Sequence, residues 1–222
     1  MKRDICAVLF DMDGLLLDTE SVVLECFREA CTAQGLVDKE HVFYQCIGLR
    51  RADSRLVLDR ELGNLIDLDR FDADWEHRID ARLSKQVPVK SGVEQVLQHL
   101  YKAGVPAVVA TSTPTDIATS NLKLAGLFDY MTAVLGGEQV EQGKPNPEIY
   151  LKAAGLAGCD ARQCAAFEDS DPGTLAAVRS GALTVQVPDL RPPSVETLAL
   201  GHLVVADLLT GARRIGLISD TH

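Results

Sequence analysis

Short apolar runs alternate with helical patterns along most of this chain. The runs predict strands at residues 5–10, 105–111, 131–135, 164–167, 183–187 and 203–205. Helical patterns fall between these runs, over residues 92–103, 114–125, 147–154 and 172–180. Strands that alternate with helices form βαβ units, whose parallel sheet is covered on both faces. The sequence therefore predicts an α/β fold built on a parallel sheet.

A helical block interrupts the alternation after the first predicted strand. Apolar residues at helical spacing predict a helix over 19–34, with Thr19 as its cap and Gly35 as its stop. Further helical patterns cover 38–46, 52–62 and 69–86. We expect residues 16–88 to form an inserted helical module, and residues 1–15 and 89–222 to form the core. The segment after Gly211 shows no pattern that indicates an element, and we expect it to be frayed.

Polar residues follow the predicted strands at the point where each strand ends. In an open parallel sheet, ligands bind beyond the carboxyl ends of the strands. We therefore expect these side chains to meet in one site. In chain order they are Asp11 and Asp13, then Thr111, Ser112 and Thr113, then Lys144, then Glu168 and Asp169.

The acids in this set indicate a metal ion. Paired carboxylates at a strand end repel each other, and a cation or a shared proton relieves the repulsion. Carboxylate oxygens are ligands that Mg²⁺ prefers, and Mg²⁺ also neutralises a phosphomonoester that a bare carboxylate attacks poorly. The predicted metal ligands are Asp11, Asp13, Glu168 and Asp169. The sequence thus predicts a site for magnesium-assisted phosphoryl transfer.

Each remaining residue has a role in such a reaction, and also a simpler interpretation. Asp11 is placed to act as nucleophile and Asp13 as general acid and base. Thr111, Ser112 and Lys144 would bind the phosphate oxygens. Alternatively, the acids form a solvated turn, the hydroxyls cap the next helix and the lysine is a solvated surface residue. The combination of all four segments in order favours the catalytic interpretation.

The chain resembles the haloacid dehalogenase superfamily phosphatases that carry a helical cap after the first strand. The resemblance covers about residues 5–205 and lies in Asp11-Met12-Asp13-Gly14 with Asp18-Thr19-Glu20, Thr111-Ser112, Gly143-Lys144-Pro145-Asn146-Pro147, and Phe167-Glu168-Asp169-Ser170. It implies a Rossmann-like core with an inserted α-helical cap, Mg²⁺ as cofactor and an aspartyl-phosphate on Asp11. The implied substrate is a small phosphorylated metabolite, such as a sugar phosphate or a nucleotide.

The segment from Cys46 to Ser54 resembles the substrate loop of the family's cap. Gly48 would let the backbone approach a ligand, and Arg51 would meet a hydroxyl or a second anion of the substrate. The simpler interpretation of Arg51 is a surface arginine at the start of a helix. Gly48 and Arg51 are therefore candidate substrate-binding residues.

Two other functions remain as alternatives to a phosphatase. One is a phosphomutase of the β-phosphoglucomutase type, which has a cap histidine at the position that Val23 occupies here. Since no histidine precedes His41, the sequence favours hydrolysis. The other is a non-catalytic binding protein on the same scaffold, against which the complete set of acids argues.

Charge and cysteine content limit the partners and the compartment. The net charge of −10 argues against general binding to nucleic acid or to anionic membranes. No apolar run is long enough to span a membrane, and no signal peptide is recognised. The six cysteines contain no CxxC pair and lie mostly in apolar segments, which favours reduced thiols. We expect a cytoplasmic protein that is a monomer.

Overall fold

A six-stranded, all-parallel sheet forms the centre of the computed structural model, which describes residues 4–219. The strand order is β3-β2-β1-β4-β5-β6, the order of a Rossmann-like doubly wound fold. The predicted parallel α/β architecture is confirmed, and all six predicted strands are present. They are β1 (Ala7–Phe10), β2 (Ala107–Ala110), β3 (Ala133–Leu135), β4 (Cys164–Glu168), β5 (Leu183–Gln186) and β6 (Leu203–Val204).

Four helices follow β1, as the helical patterns predict. They are α1 (Thr19–Ala33), α2 (Glu40–Cys46), α3 (Arg51–Leu62) and α4 (Leu68–Leu83). Their apolar faces share a cluster in which the ring of Phe27 contacts Phe43, Phe71 and Trp75. This cluster is distinct from those on the sheet, so the helical block has a core of its own. The exact division at residues 16 and 88 stays a prediction.

The first helix begins one residue away from its predicted cap. Asp18 occupies the N-cap position of α1, and Thr19 is the first helical residue. The hydroxyl of Thr19 instead donates a hydrogen bond to Asp13, six residues earlier in the chain. Thr19 therefore belongs to the site at the strand ends and does not cap its own helix.

The remaining helices cover both faces of the sheet. They are α5 (Val93–Ala103), α6 (Thr115–Leu124), α7 (Glu148–Leu156), α8 (Asp171–Ser180), α9 (Val195–Leu198) and α10 (Leu208–Arg214). Short 3-10 turns lie at Phe128–Tyr130, Gly137–Gln139 and Ala161–Gln163. Successive strand residues point to opposite faces, so Val8 and Phe10 pack with α5 and α10 while Ala7 and Leu9 pack with α7 and α8. None of the helices described between residues 4 and 219 could cross a membrane.

The expectation of a frayed end after Gly211 is wrong as far as residue 219. Helix α10 continues through Arg214 and packs against α5. Ala212 and Ile218 are buried in the cluster on that face of the sheet. The seven residues of this helix are too few to show a clear helical periodicity in the sequence. Packing against the core stabilises the helix. Residues 220–222 lie outside the described residues.

The expectation that all cysteines are reduced is also wrong. Cys6 and Cys159 form a disulfide whose Cα atoms are 6.2 Å apart, across a sequence separation of 153 residues. Cys6 precedes β1 and Cys159 follows α7, so only the folded chain brings them together. The other four cysteines are free and buried. Spacing along the chain carries no signal for a bridge between such distant residues.

Candidate active site

The predicted site residues lie along the carboxyl edge of the sheet. Asp11 directly follows β1, and its backbone N–H bonds the carbonyl of Phe167 on β4. Thr111 directly follows β2, and its N–H bonds the carbonyl of Leu135 on β3 in the same way. Because these residues continue the hydrogen-bond ladder, the rigid sheet fixes where their side chains begin.

Lys144 lies at the centre of the buried part of the site. It stands in the loop between β3 and α7 and is only 3% exposed. Its ammonium contacts Asp11 and lies 2.6 Å from Oε1 of Glu168. The ring of Tyr150 lies 5.4 Å from Nζ, on the side of α7 that faces the sheet. A buried ammonium with two carboxylate partners is strongly held in the charged form.

Glu168, which ends β4, is held by three donors. Oε1 accepts from Lys144 and from the hydroxyl of Tyr150 at 2.5 Å, and Oε2 accepts from Ser170 at 3.1 Å. Ser170 also caps α8, because its Oγ accepts from the N–H of Gly173. A fully buried carboxylate needs such hydrogen-bond partners in place of the water it has lost. These contacts fix the orientation of Glu168 beside Lys144.

The pKa values of Asp11 and Asp169 are raised, because the positive charge of Lys144 does not balance the buried negative charges around it. Burial raises the pKa of Asp11 to about 8, Lys144 opposes this, and the charges of Glu168 and Asp13 add to the rise. Burial and the charge of Asp11 raise the pKa of Asp169 well above its usual range. Burial alone would lower the pKa of Lys144, but Asp11 and Glu168 together raise it.

The carboxylates form a cluster that fits a divalent cation. One oxygen each from Asp11, Glu168 and Asp169 lies within 4.8 Å of the others, and all three residues are buried. Lys144 leaves the cluster with an excess of negative charge when all three are ionised. Hard oxygen donors with excess negative charge suit Mg²⁺. These three residues could therefore hold the metal ion.

Asp13 lies apart from that cluster and is surrounded by hydroxyl groups. Its Oδ1 accepts from Thr19 at 2.6 Å, and its Oδ2 accepts from Thr113 at 2.7 Å and Thr111 at 3.3 Å. The oxygens that lie within 4.8 Å of one another instead belong to Asp11, Glu168 and Asp169. The hydroxyls fix its orientation toward the space above the strand ends.

Gly14 allows the turn after β1 to lie close to Asp169, which follows β4. It has a φ of 82°, a conformation that residues with a side chain rarely adopt. A Cβ atom at this position would lie 2.6 Å from Oδ2 of Asp169. The turn after β1 therefore requires glycine both for its backbone and for the space that Asp169 occupies.

A cavity of about 170 Å³ separates the strand ends from the helical block. It is lined by Asp11, Asp13, Thr19, Glu20, Val23, Cys46, Gly48, Leu49, Thr111, Ser112 and Thr113. Glu20 also borders a neighbouring cavity of about 210 Å³. Burial, with the charges of Asp13 and Asp11, raises the pKa of Glu20 to about 8. The cavity has room for a small ligand between hydroxyls and carboxylates.

The two candidate substrate residues of the helical block are placed differently. Gly48 lines the cavity, and its carbonyl accepts a hydrogen bond of 2.8 Å from Ser112. The side chain of Arg51 is 69% exposed and pairs with Glu76 on α4. The structure therefore brings Gly48 to the site and leaves Arg51 outside the cavity.

Sequence reasoning assigned no role to Thr113, Glu20 or Tyr150, although it expected Thr113 to lie in the site. Thr113 lies in the run of hydroxyl residues after β2, and Glu20 lies in the segment that carries the family resemblance. The sequence could therefore have indicated a role in the site for both. Nothing in the sequence indicates that Tyr150 is a site residue, because an aromatic residue on an apolar helix face is usually a core residue. Only its contact with Glu168 shows that its hydroxyl belongs to the site.

The sheet order and the residues at its carboxyl edge are those of an α/β enzyme. The family described as haloacid dehalogenase-like hydrolase matches residues 8–187. "Putative phosphatase YhcW" of Bacillus subtilis (strain 168) is 33% identical over 184 residues, which cover 82% of this chain and 83% of the relative. "Phosphorylated carbohydrates phosphatase" of Thermotoga maritima is 31% identical over 178 residues, or 79% and 81% of the two chains.

Solved structures agree with the sequence relatives. One described as "putative beta-phosphoglucomutase from Thermotoga maritima" has a TM-score of 0.75 and 26% identity, and covers 94% of this chain and 98% of that one. The chain belongs to the haloacid dehalogenase-like hydrolase family. The predicted family, the Rossmann-like α/β fold and the prediction of an enzyme of the hydrolase class are thereby confirmed.

Proposed function

We propose that this protein hydrolyses small phosphomonoesters with the help of Mg²⁺ and through an aspartyl-phosphate on Asp11. The observation that carries the proposal is the contact of buried Lys144 with Asp11, next to the carboxylates of Glu168 and Asp169. A nucleophilic carboxylate, a fixed cation and a group of metal-binding oxygens are together what phosphoryl transfer requires. The names of the two relatives, both phosphatases, support the same reaction.

In the first step, one oxygen of Asp11 attacks phosphorus and the bond to the leaving oxygen breaks. Asp13 gives that oxygen a proton, and its hydroxyl partners Thr19 and Thr113 hold it in place. In the second step, Asp13 takes a proton from water, which attacks the phosphoryl group on Asp11. The bond between Asp11 and phosphorus breaks, so inorganic phosphate leaves and the carboxylate is restored.

The positions of Lys144, Thr111 and Ser112 support roles in phosphate binding. Lys144 adds positive charge where the phosphoryl oxygens would lie, since it touches the nucleophile itself. Thr111 and Ser112 lie at the end of β2 and line the same cavity. Asp11, Glu168 and Asp169 would hold Mg²⁺. When bound, Mg²⁺ supplies the charge that neutralises the phosphate dianion and the carboxylates.

Mg²⁺ is expected to stabilise the protein against unfolding, and the Asp169→Asn variant should lose this stabilisation. Saturating Mg²⁺ should stabilise the wild-type protein, by about 2.7 kcal/mol at 100 times the Kd. Asp169→Asn should abolish that gain. In EDTA the same variant should be more stable than wild type, since burial and the neighbouring acids raise the pKa of Asp169 and the amide removes that repulsion. Thermal and urea unfolding with and without Mg²⁺ measure both effects.

The matched control for this experiment is Asp129→Asn, which removes an exposed carboxylate far along the chain from the cluster. It should keep the full response to Mg²⁺ and the wild-type stability in EDTA. A normal response to Mg²⁺ in Asp169→Asn would contradict the assignment of Asp169 as a ligand.

The substrate fits a small sugar phosphate or a nucleotide-like monophosphate. The cavity is small, and hydroxyls and carboxylates line much of it. One relative is named for phosphorylated carbohydrates, which supports the sugar phosphate. We further propose a monomeric enzyme with no nucleic-acid or membrane partner, which the net charge of −10 supports. A cytoplasmic location stays a prediction, and the Cys6–Cys159 disulfide removes the support that reduced thiols gave it.

A phosphomutase is the second candidate, because a solved structure described as a β-phosphoglucomutase shares the fold at 26% identity. Val23, at the position of the mutase's cap histidine, lines the cavity and cannot exchange a proton. Hydrolysis is therefore the favoured outcome.

The deciding experiment supplies a panel of phosphorylated metabolites and p-nitrophenyl phosphate, with Mg²⁺ or with EDTA. We expect Mg²⁺-dependent release of inorganic phosphate. Conversion of β-glucose 1-phosphate to the 6-phosphate faster than phosphate release would favour the mutase. Absence of both reactions across the panel would contradict the proposed function.

A further inference from the structure

The loop of residues 47–50, which joins α2 to α3, lies over the carboxyl edge of the sheet. Gly48 and Leu49 line the cavity that contains Asp11 and Asp13. The same loop contacts core segments that follow β2, β3 and β4. Those three segments carry the candidate phosphate-binding and metal-binding residues. The loop is therefore one of the places where the helical block meets the candidate active site, beside the start of α1.

The backbone of this loop is held between two of the core segments. The carbonyl of Gly48 accepts a hydrogen bond of 2.8 Å from Oγ of Ser112, which follows β2. Gly48 has a φ of 77°, and a Cβ atom there would lie 2.5 Å from Oγ of Ser170, which follows β4. Glycine thus permits a close approach that any side chain would prevent.

Arg50 makes the third connection, to the segment that leads to Lys144. Its Nη1 donates to the carbonyls of Glu141 at 3.3 Å and Val140 at 3.4 Å. Its Nε donates to Asp53 at 2.9 Å, one turn along α3, which holds the guanidinium in that direction. A Cβ atom at Gly143 would lie 2.5 Å from Nε of Arg50. The arginine therefore lies flat against the backbone of this segment.

The neighbouring arginine shows that this placement is specific. Arg51 turns away from the core and pairs with Glu76, within the helical block. The side chain of Arg50 is 25% exposed, against 69% for Arg51. Only Arg50 of the two joins the helical block to the core.

We propose that Arg50 is a latch that holds the loop 47–50 over the cavity and positions the segment 140–143 before Lys144. Arg50 does not itself line the cavity, and its hydrogen bonds go to Asp53 and to the carbonyls of residues 140 and 141. It is therefore a positioning residue that acts through its carbonyl partners. Its effect on turnover rests on the proposed function, whereas its effect on the loop does not. Loss of the latch lowers the fraction of molecules in which the loop 47–50 lies over the cavity, and it weakens apparent substrate affinity in proportion.

The test compares Arg50→Met with Arg28→Met. Methionine keeps the unbranched stem and removes the hydrogen bonds. Arg28 also belongs to the helical block, but its guanidinium pairs with Glu40 inside that block. Hydrogen exchange of the backbone amides over 47–50 and 137–143 is measured in both variants. Steady-state kinetics with p-nitrophenyl phosphate and Mg²⁺ accompany it.

We expect Arg50→Met to speed exchange over both segments and to raise KM about tenfold with a smaller change in kcat, the effect of losing charged hydrogen bonds. Arg50→Lys should lie between it and wild type, since one ammonium reaches fewer acceptors. Arg28→Met should show wild-type exchange over both segments and a wild-type KM. Unchanged exchange in Arg50→Met would overturn the latch. A wild-type protein without phosphatase activity would instead overturn the proposed function, and the exchange data would still decide on the latch.

Discussion

Asp11→Asn is expected to abolish phosphate release, with a loss in kcat of at least about 10³-fold, as for removal of other catalytic nucleophiles. The amide has nearly the shape of the carboxylate, so packing at the end of β1 should be preserved. It lacks the charge that makes Asp11 a nucleophile. Oε1 of Glu168 still accepts from Lys144, so the buried ammonium keeps a partner.

Stability distinguishes this chemical effect from unfolding. The pKa of Asp11 is raised to about 8 because the folded protein buries its charge among other acids. A neutral asparagine removes that repulsion, so Asp11→Asn should be at least as stable as wild type in EDTA. Phosphate release and urea unfolding are measured on the same preparation, with Asp129→Asn as control. Wild-type turnover in Asp11→Asn would refute the nucleophile, whereas inactivity with a large loss of stability would leave only a folding defect.

The parallel sheet was predictable because each strand can be recognised from its own short apolar sequence. Segments such as Ala7–Phe10 and Ala107–Ala110 are apolar throughout, since helices cover both faces of the sheet. The expected position of the site followed from this, because polar residues at the ends of such strands must share one edge. Helix α10 was missed because its seven residues give too little pattern, and its stability comes from contacts with the rest of the fold.

Partners within the site were not predictable, because they depend on the directions of side chains. The sequence did not indicate the hydroxyl partners of Asp13, which are Thr19 and Thr113. Its role as a metal ligand stays a prediction. The sequence placed Arg51 near the substrate, whereas Arg50 is the arginine that touches the core. Arg50 is the N-cap residue of α3 and has an extended backbone, whereas Arg51 is the first helical residue. The exact start of the helix therefore decides which of the two arginines faces the core, and sequence patterns do not fix that position.

Lys144→Met is expected to affect stability and activity together. The ammonium is buried, and its removal leaves Asp11 and Glu168 without their shared cation. Breaking a buried ion pair in this way costs about 3–5 kcal/mol. Phosphate release should also fall by at least about 10²-fold, because a fixed positive charge at the reacting phosphate is lost. Lys152→Met is the control, since Lys152 is exposed and pairs with Glu148 on the surface of α7.

A second substitution separates the two effects of losing Lys144. The Lys144→Met, Glu168→Gln double variant removes one of the unpaired charges and should recover much of the lost stability. The hydroxyl of Tyr150 can still donate to the new amide oxygen, so the buried position remains satisfied. Activity should not return, because the double variant lacks the lysine beside Asp11 and also one carboxylate of the group proposed to hold Mg²⁺. Recovery of activity with stability would show that Lys144 serves only to balance buried charge, and the same urea unfolding and phosphate-release assays report both quantities.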